Sequence, residues 1–205
     1  MKPLIAAITD RRGLTGGLID NVRALLDAGI DLLQLREKDL EARELYDLAR
    51  AIRSLPNPPG AKLVVNARAD VALAAGFDGV HLPADSPSPE LFRRISERFV
   101  IGVSCHSADE AVRAAEEGAD YVVFGPVFET ASKRAFGPPQ GLARLEEVCR
   151  AANIPVLALG GITESNAGDC LRAGAAGLAG ISIFQRGRGL RELVERLRAA
   201  GEGVE

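Results

Sequence analysis

The chain has 205 residues, a length that fits one small domain of barrel size. Hydrophobic residues make up 47% but aromatics only 4%, so the core must be built mostly from Leu, Val, Ile and Ala, which suits parallel strands covered by helices. A net charge of −3, with charges of both signs, offers no basic footprint for nucleic acid.

Short apolar runs alternate with amphipathic stretches along the whole chain. Strands are predicted over residues 4–9, 32–36, 62–66, 79–82, 100–104, 121–125, 155–159 and 177–179. Helices are predicted between and after them, over 18–28, 42–55, 70–75, 89–99, 108–117, 142–152, 164–173 and 190–200. Eight such units are the number that closes a (β/α)₈ TIM barrel, and no linker divides residues 1–205, so a single barrel domain is expected. Ala28-Gly29-Ile30-Asp31, Ala75-Gly76-Phe77-Asp78, Glu117-Gly118-Ala119-Asp120 and Ala173-Gly174-Ala175-Ala176 each place a Gly where a helix ends before a strand, as a helix stop requires. An open doubly wound sheet would carry its phosphate loop after the first strand, but residues 10–17 lack GxGxxG spacing. Cys105, Cys149 and Cys170 are odd in number and widely spaced, which argues against a disulfide framework or a zinc site. Apolar runs of signal-peptide or membrane-spanning length are lacking, so a cytoplasmic location is expected.

In a barrel the chemistry belongs at the C-terminal ends of the strands. In Leu32-Leu33-Gln34-Leu35-Arg36-Glu37-Lys38-Asp39, Leu33 and Leu35 should face the helices, which turns Gln34 and Arg36 toward the barrel axis. An inward Arg needs an anion or a partner, so Arg36 is either a substrate clamp, with Lys38 on the following loop, or the cation of an ion pair with a neighbouring carboxylate. Asn66 ends the third strand and is placed to hydrogen-bond a ligand. His81 lies within a strand and reads as a core histidine. His106 follows the fifth strand with the parity of Gly102 and Ser104, where it would reach substrate and exchange protons near neutral pH. Thr130, Ser132 and Lys133, on the loop after the sixth strand, carry groups that would close over an anion. Gly160 and Gly161 follow the seventh strand, and Ile181 and Ser182 follow the eighth. Loops after these two strands are where barrels commonly bind phosphate.

These residues together are similar to those of the thiamine phosphate synthase superfamily over nearly the whole chain. The marks are Gln34-Leu35-Arg36-Glu37-Lys38-Asp39, Gly102-Val103-Ser104-Cys105-His106-Ser107, Gly125-Pro126-Val127-Phe128-Glu129-Thr130, Ser132-Lys133 and Gly160-Gly161-Ile162-Thr163. The resemblance implies a (β/α)₈ barrel acting on thiazole phosphate, and it offers two branches. Synthases join an aminopyrimidine pyrophosphate to thiazole phosphate, with an Asn-Asp pair after the third strand and a Glu-Asp pair after the fourth holding magnesium on the pyrophosphate. TenI-type proteins lose those acids and shift a proton to aromatise carboxythiazole phosphate.

Asn66 is kept here, but Ala67 and Ser86 stand where the two metal aspartates are expected, with Asp85 at the Glu position. That departure leads to the expectation of a TenI-type thiazole tautomerase, an isomerase without cofactor. The resemblance then implies that Gly160, Gly161, Ile181 and Ser182 bind phosphate, that Gln34, Arg36 and Lys133 orient the carboxylate or ring, and that His106 moves the proton. Lys38, Asn66, Ser104, Thr130 and Ser132 complete the expected substrate contacts. One alternative is a thiamine phosphate synthase, with Asp85 and substrate phosphates holding Mg²⁺. A second is a non-catalytic TenI-type regulator acting through a partner. The expected partner is a phosphorylated thiazole, with neither nucleic acid nor membrane, and a homodimer because barrel helices often pair.

Overall fold

A computed structural model describes residues 2–130 and 138–201. Eight parallel strands close into a barrel in sequence order: β1 (Leu4–Ile8), β2 (Leu32–Leu35), β3 (Lys62–Asn66), β4 (Gly79–Leu82), β5 (Val100–Cys105), β6 (Tyr121–Phe124), β7 (Val156–Leu159) and β8 (Gly177–Gly180). The pairing of β8 with β1 completes the ring, with Leu4 opposite Gly177 and Ala6 opposite Ala179. Around it lie α1 (Leu18–Ala28), α2 (Ala42–Arg53), α3 (Ala69–Ala75), α4 (Pro89–Ile95), α5 (Ala108–Glu116), α6 (Gly141–Ala151), α7 (Ala167–Arg172) and α8 (Leu190–Ala199). The expected (β/α)₈ barrel is the observed fold. No helix among the described residues is long and apolar enough to cross a membrane.

Alternation along each strand divides the buried residues into two cores. Outward residues such as Ile5, Leu33, Leu35, Val65, Val80, Leu82, Ile101 and Val122 pack with the helices. Inward residues Ala6, Ile8, Tyr121, Val123, Leu157 and Ala179 form a second cluster along the barrel axis. That inner cluster comes from β1, β6, β7 and β8. Toward the C-terminal ends of β2 to β5 the inward positions are polar or small instead: Gln34, Asn66, His81, Gly102 and Ser104, above inward Leu32, Val64 and Val100. The hydrogen-bonding groups of the interior are therefore gathered near the mouth.

The recurrent Gly-x-Asp segments have a physical explanation. Gly29, Gly76, Gly118 and Gly174 all take positive φ at helix ends. Two residues later the aspartates accept hydrogen bonds from the backbone N–H of a neighbouring strand: Ile5 N to Asp31 at 2.7 Å, Leu63 N to Asp78 at 2.8 Å, and Ile101 N to Asp120 at 2.7 Å. Each aspartate thus ties the end of one βα unit to an adjacent strand. The fourth segment has Ala176 at this place, and there the Ala176 carbonyl accepts from Leu4 N at 3.0 Å.

Two helices are shorter than expected. α4 stops at Ile95 because Ser96 turns to extended backbone with φ −155°, and Arg93 reaches the carbonyls of Phe99 and Gly118. α7 begins only at Ala167 because Asn166 closes a turn by accepting from Thr163 N at 2.7 Å.

Ala67, just after β3, is the only described non-glycine residue with positive φ, at 58°. Left-handed backbone costs an L-residue about 1–2 kcal/mol, partly offset here by the greater unfolded-state entropy of glycine. Ala67→Gly is therefore expected to raise stability by about 0.5–1 kcal/mol. Urea denaturation should show a higher midpoint with an unchanged slope, and a lower midpoint would contradict the strain at this residue.

Candidate active site

The C-terminal mouth is organised first by an ion-pair lock between the loops after β1 and β2. Arg11 donates to both oxygens of Asp39 at 2.7 and 2.5 Å and to Glu37 at 3.1 Å. Its backbone N–H also points at the Glu37 carboxylate, and Arg12 pairs with Asp39 at 2.9 Å. The Arg11 guanidinium holds the Asp39 carboxyl well below the usual carboxylate range. Thr9, itself buried, accepts from the Arg36 backbone N–H at 2.9 Å. With Glu37 and Asp39 taken by Arg11, Arg36 keeps no carboxylate partner among the described residues. Of the two readings of Arg36, this removes the ion pair with its own loop. Lys38 is exposed on the same locked loop.

Gln34 and Asn66 turn inward as expected and meet each other, Gln34 Nε2 donating to Asn66 Oδ1 at 3.0 Å. Strand register then continues the polar row, with Asn66 opposite His81, His81 opposite Gly102, and Gly102 opposite Tyr121. His81 bridges two hydroxyls: its Nδ1 lies 3.1 Å from Tyr121 Oη and its Nε2 lies 2.9 Å from Ser104 Oγ. The core-histidine expectation for His81 holds, but the core is the inside of the barrel and the chain of bonds ends at the mouth. Burial, with the Arg36 charge nearby, lowers the His81 pKa to about 3.

His106 lies elsewhere. Its Nδ1 is 2.7 Å from the Gly125 carbonyl, and its backbone N–H donates to Glu110 at 2.6 Å. The ring is exposed and lines a cavity of about 220 Å³ with Asp109, Phe124, Arg144 and Glu147, between α5 and α6. Strand alternation from Gly102 and Ser104 does not carry through to His106, because β5 ends at Cys105 and the chain turns into α5.

Gly160 and Gly161 have φ of 100° and 64°, and both are pressed against the loop after β6. A Cβ would come within 2.6 Å of Pro126 Cα at Gly160, and within 2.6 Å of the Glu129 carbonyl oxygen at Gly161. Packing against this loop is therefore reason enough for glycine at both positions. β7 pairs with β8, which brings them beside Ile181 and Ser182, and Ser182 starts a short 3₁₀ turn through Phe184. Thr130 is half-buried at the near end of the β6 loop. Ser132 and Lys133 lie outside the described residues.

The residues at the expected magnesium positions do not form a protein-held site for that ion. Ala67 offers no oxygen donor, and nearby Asp70 is taken by Arg68 at 2.8 and 2.5 Å. Asp85 is exposed and stands alone beside Ser86. Among the described residues no group of three or more His, Cys, Asp or Glu side chains is arranged to hold a metal. A hard cation needs several oxygen ligands, and here the protein supplies at most one carboxylate.

A closed parallel barrel with its polar side chains gathered at the C-terminal mouth defines the class: a (β/α)₈ barrel with its candidate site in the usual place. The family model for thiamine monophosphate synthase matches residues 5–184, and the chain belongs to that family. It is 44% identical to the "Putative thiamine-phosphate synthase 2" of Aquifex aeolicus (strain VF5), over 89% of this chain and 97% of the relative. It is 45% identical to the thiamine-phosphate synthase of Methanoculleus marisnigri (strain ATCC 35101 / DSM 1498 / JR1), over 89% and 90% respectively. The structure is similar to that of thiamine phosphate pyrophosphorylase from Pyrococcus furiosus, with TM-score 0.86, 35% identity, and 98% and 96% of the two chains covered.

These relatives overturn the expectation of a tautomerase, and with it that of an isomerase. That expectation rested on Ala67 and Ser86, two positions set against similarity spread over nine-tenths of the chain. The proton-transfer role expected of His106 falls with it.

Sequence reading missed Arg11 and Tyr121. Arg11 lies in a glycine-containing loop far in sequence from Glu37 and Asp39. The inward direction of Tyr121 becomes informative only once register places it against Gly102.

Because His81 is uncharged in the folded protein to about pH 3 but ordinarily titrates near 6.5, the unfolded chain binds the extra proton between those values. Its contribution to stability is complete above about pH 6.5 and is lost progressively as pH falls toward 3. The groups facing it are Arg36, Tyr121 and Ser104. His81→Gln should give a shallower loss of stability over this window in denaturant titrations, and an identical slope would refute the assignment.

Proposed function

We propose that this protein is a thiamine-phosphate synthase, a transferase joining an aminopyrimidine pyrophosphate to thiazole phosphate. The observation that carries the proposal is the 44–45% identity, over 89% of the chain, to relatives bearing that name. In such a transfer the carbon–oxygen bond to pyrophosphate breaks and a carbon–nitrogen bond to the thiazole forms. Negative charge grows on the departing pyrophosphate, so fixed positive charge aimed at it lowers the barrier. Arg36 and Lys38 are assigned that task, held in place by the Arg11–Glu37–Asp39 lock. Gly160, Gly161, Ile181 and Ser182 are assigned the thiazole phosphate. Gln34, Asn66 and Ser104 provide the neutral polar contacts to the rings, and Thr130, Ser132 and Lys133 belong to the loop assigned to cover the anion. Magnesium receives no step in this scheme, since among the described residues no set of side chains is arranged to hold it. A cytoplasmic location and a homodimer form part of the same proposal.

Mixing aminopyrimidine pyrophosphate, thiazole phosphate and Mg²⁺ with the protein should yield thiamine phosphate. Arg36→Ala should raise the KM for the pyrophosphate substrate at least about tenfold, the scale of a lost charge-assisted hydrogen bond. Failure of the wild type to form product would defeat the proposal.

The paired substitution Ala67→Asp with Ser86→Asp should create a carboxylate pair for the ion. Aspartate tolerates the positive φ at 67 better than most residues. Added Mg²⁺ is expected to raise the rate of this double variant by about tenfold more than that of the wild type, and an equal response in the two would show that these positions do not face the pyrophosphate.

A further inference from the structure

We propose that Tyr121 and His81 are positioning residues that fix the Ser104 hydroxyl as a hydrogen-bond donor toward the substrate, so that its hydrogen is aimed at a substrate acceptor atom. The inference deepens the transferase assignment by naming the kind of substrate atom that Ser104 faces, and it rests on that assignment only for the identity of the substrate.

The argument is one of donor and acceptor accounting inside a closed barrel. Tyr121 is 5% exposed, and its ring crosses the barrel interior over Gly102. A Cβ at residue 102 would sit 2.1 Å from Tyr121 Cζ and 2.3 Å from Oη, so the glycine is what lets the phenol reach His81. Among the described residues, the partner within hydrogen-bond reach of the phenol is His81 Nδ1, at 3.1 Å. A buried phenol hydrogen without an acceptor costs about 1–3 kcal/mol. If Nδ1 carried the proton, the phenol would have to accept from it and its own hydrogen would be orphaned. The economical arrangement has Tyr121 donating to a bare Nδ1.

A neutral imidazole carries one proton, so it is then on Nε2. Burial keeps His81 neutral through the physiological range. Nε2 must therefore donate to Ser104 Oγ, 2.9 Å away. This bond uses one lone pair of the serine oxygen, and the serine hydrogen, which cannot be given to Nε2, is left to point elsewhere. Ser104 is half-buried at the C-terminal end of β5, where the mouth opens. The order Tyr121 to His81 to Ser104 thus ends in a donor. It also argues against Ser104 as a nucleophile activated by His81, since that would require Nε2 to be the acceptor. The aminopyrimidine pyrophosphate carries acceptors in its ring nitrogens and its phosphate oxygens, and either class satisfies the polarity.

The two histidines of the chain provide an internal contrast. His106 Nδ1 faces the Gly125 carbonyl, which only accepts, so in neutral His106 the proton sits on Nδ1. Nitrogen-15 NMR of the full chain, labelled at histidine and without ligand near pH 8, should show opposite tautomers: Nε2–H for His81 and Nδ1–H for His106. Substituting His106→Gln assigns the two sets of signals. In Tyr121→Phe, which keeps the ring that fills the barrel, His81 should lose its pure Nε2–H signature.

In the condensation assay, Ser104→Ala and Tyr121→Phe should each reduce kcat/KM by about tenfold, the scale of one lost hydrogen bond to a charged or polar partner. The double variant should be no worse than Ser104→Ala alone, because both changes remove the same donor. Nδ1–H in wild-type His81, an unchanged tautomer in Tyr121→Phe, or additive losses in the double variant would each overturn the proposal. Absence of condensation by the wild type would count against the transferase assignment, and the tautomer spectra would still decide this one.

Discussion

Closing a parallel sheet into a ring forces every second side chain into a space that water and helices do not share. The rest of the structure depends on how that space is filled. From β1, β6, β7 and β8 the filling is apolar, with Ile8, Val123 and Leu157 packed together. Near the mouth, β2 to β5 add Gln34, Asn66, His81 and Ser104, with Gly102 leaving room for Tyr121. A buried polar group is tolerated only when paired, so Gln34 bonds to Asn66, and His81 bonds to both Tyr121 and Ser104. The same pairing that satisfies them also orients them, and their open end is the mouth. Stability and the geometry of the site are consequences of one arrangement.

A second constraint acts on the loops. Arg11 gathers Glu37 and Asp39, and Thr9 holds the Arg36 backbone. The effect is to consume the loop's own negative charge while leaving Arg36 and Lys38 for something else. The glycines after β7 are shaped from the opposite direction, by the close approach of residues 126–129. A cation-bearing loop and a small-residue loop thus face the same opening for different structural reasons.

Membership of the thiamine monophosphate synthase family fits this division of the mouth, and Ala67 and Ser86 set the chain apart within the pattern used to recognise it. Two absent acids were enough to suggest a different reaction. Similarity distributed over the barrel points to the synthase. Ala67 retains a left-handed backbone that suits aspartate, asparagine or glycine better than alanine.

Local sequence by itself determined the eight βα units, the helix stops at Gly29, Gly76, Gly118 and Gly174, and the inward direction of Gln34. It did so because backbone propensity and strand alternation are properties of neighbouring residues. Tertiary structure alone decided which of the inward groups meet. His81 read correctly as a core residue, but only the register between β4, β5 and β6 joins it to Tyr121 and Ser104. His106 read as a mouth residue because alternation was extended one residue past β5, where the turn into α5 ends it. Arg11 gave no local sign, since its partners lie 26 and 28 residues away and are brought to it only by the β1–β2 pairing. Pairing between strands is a long-range fact, and in this protein the polar network at the mouth is made almost wholly of such pairings.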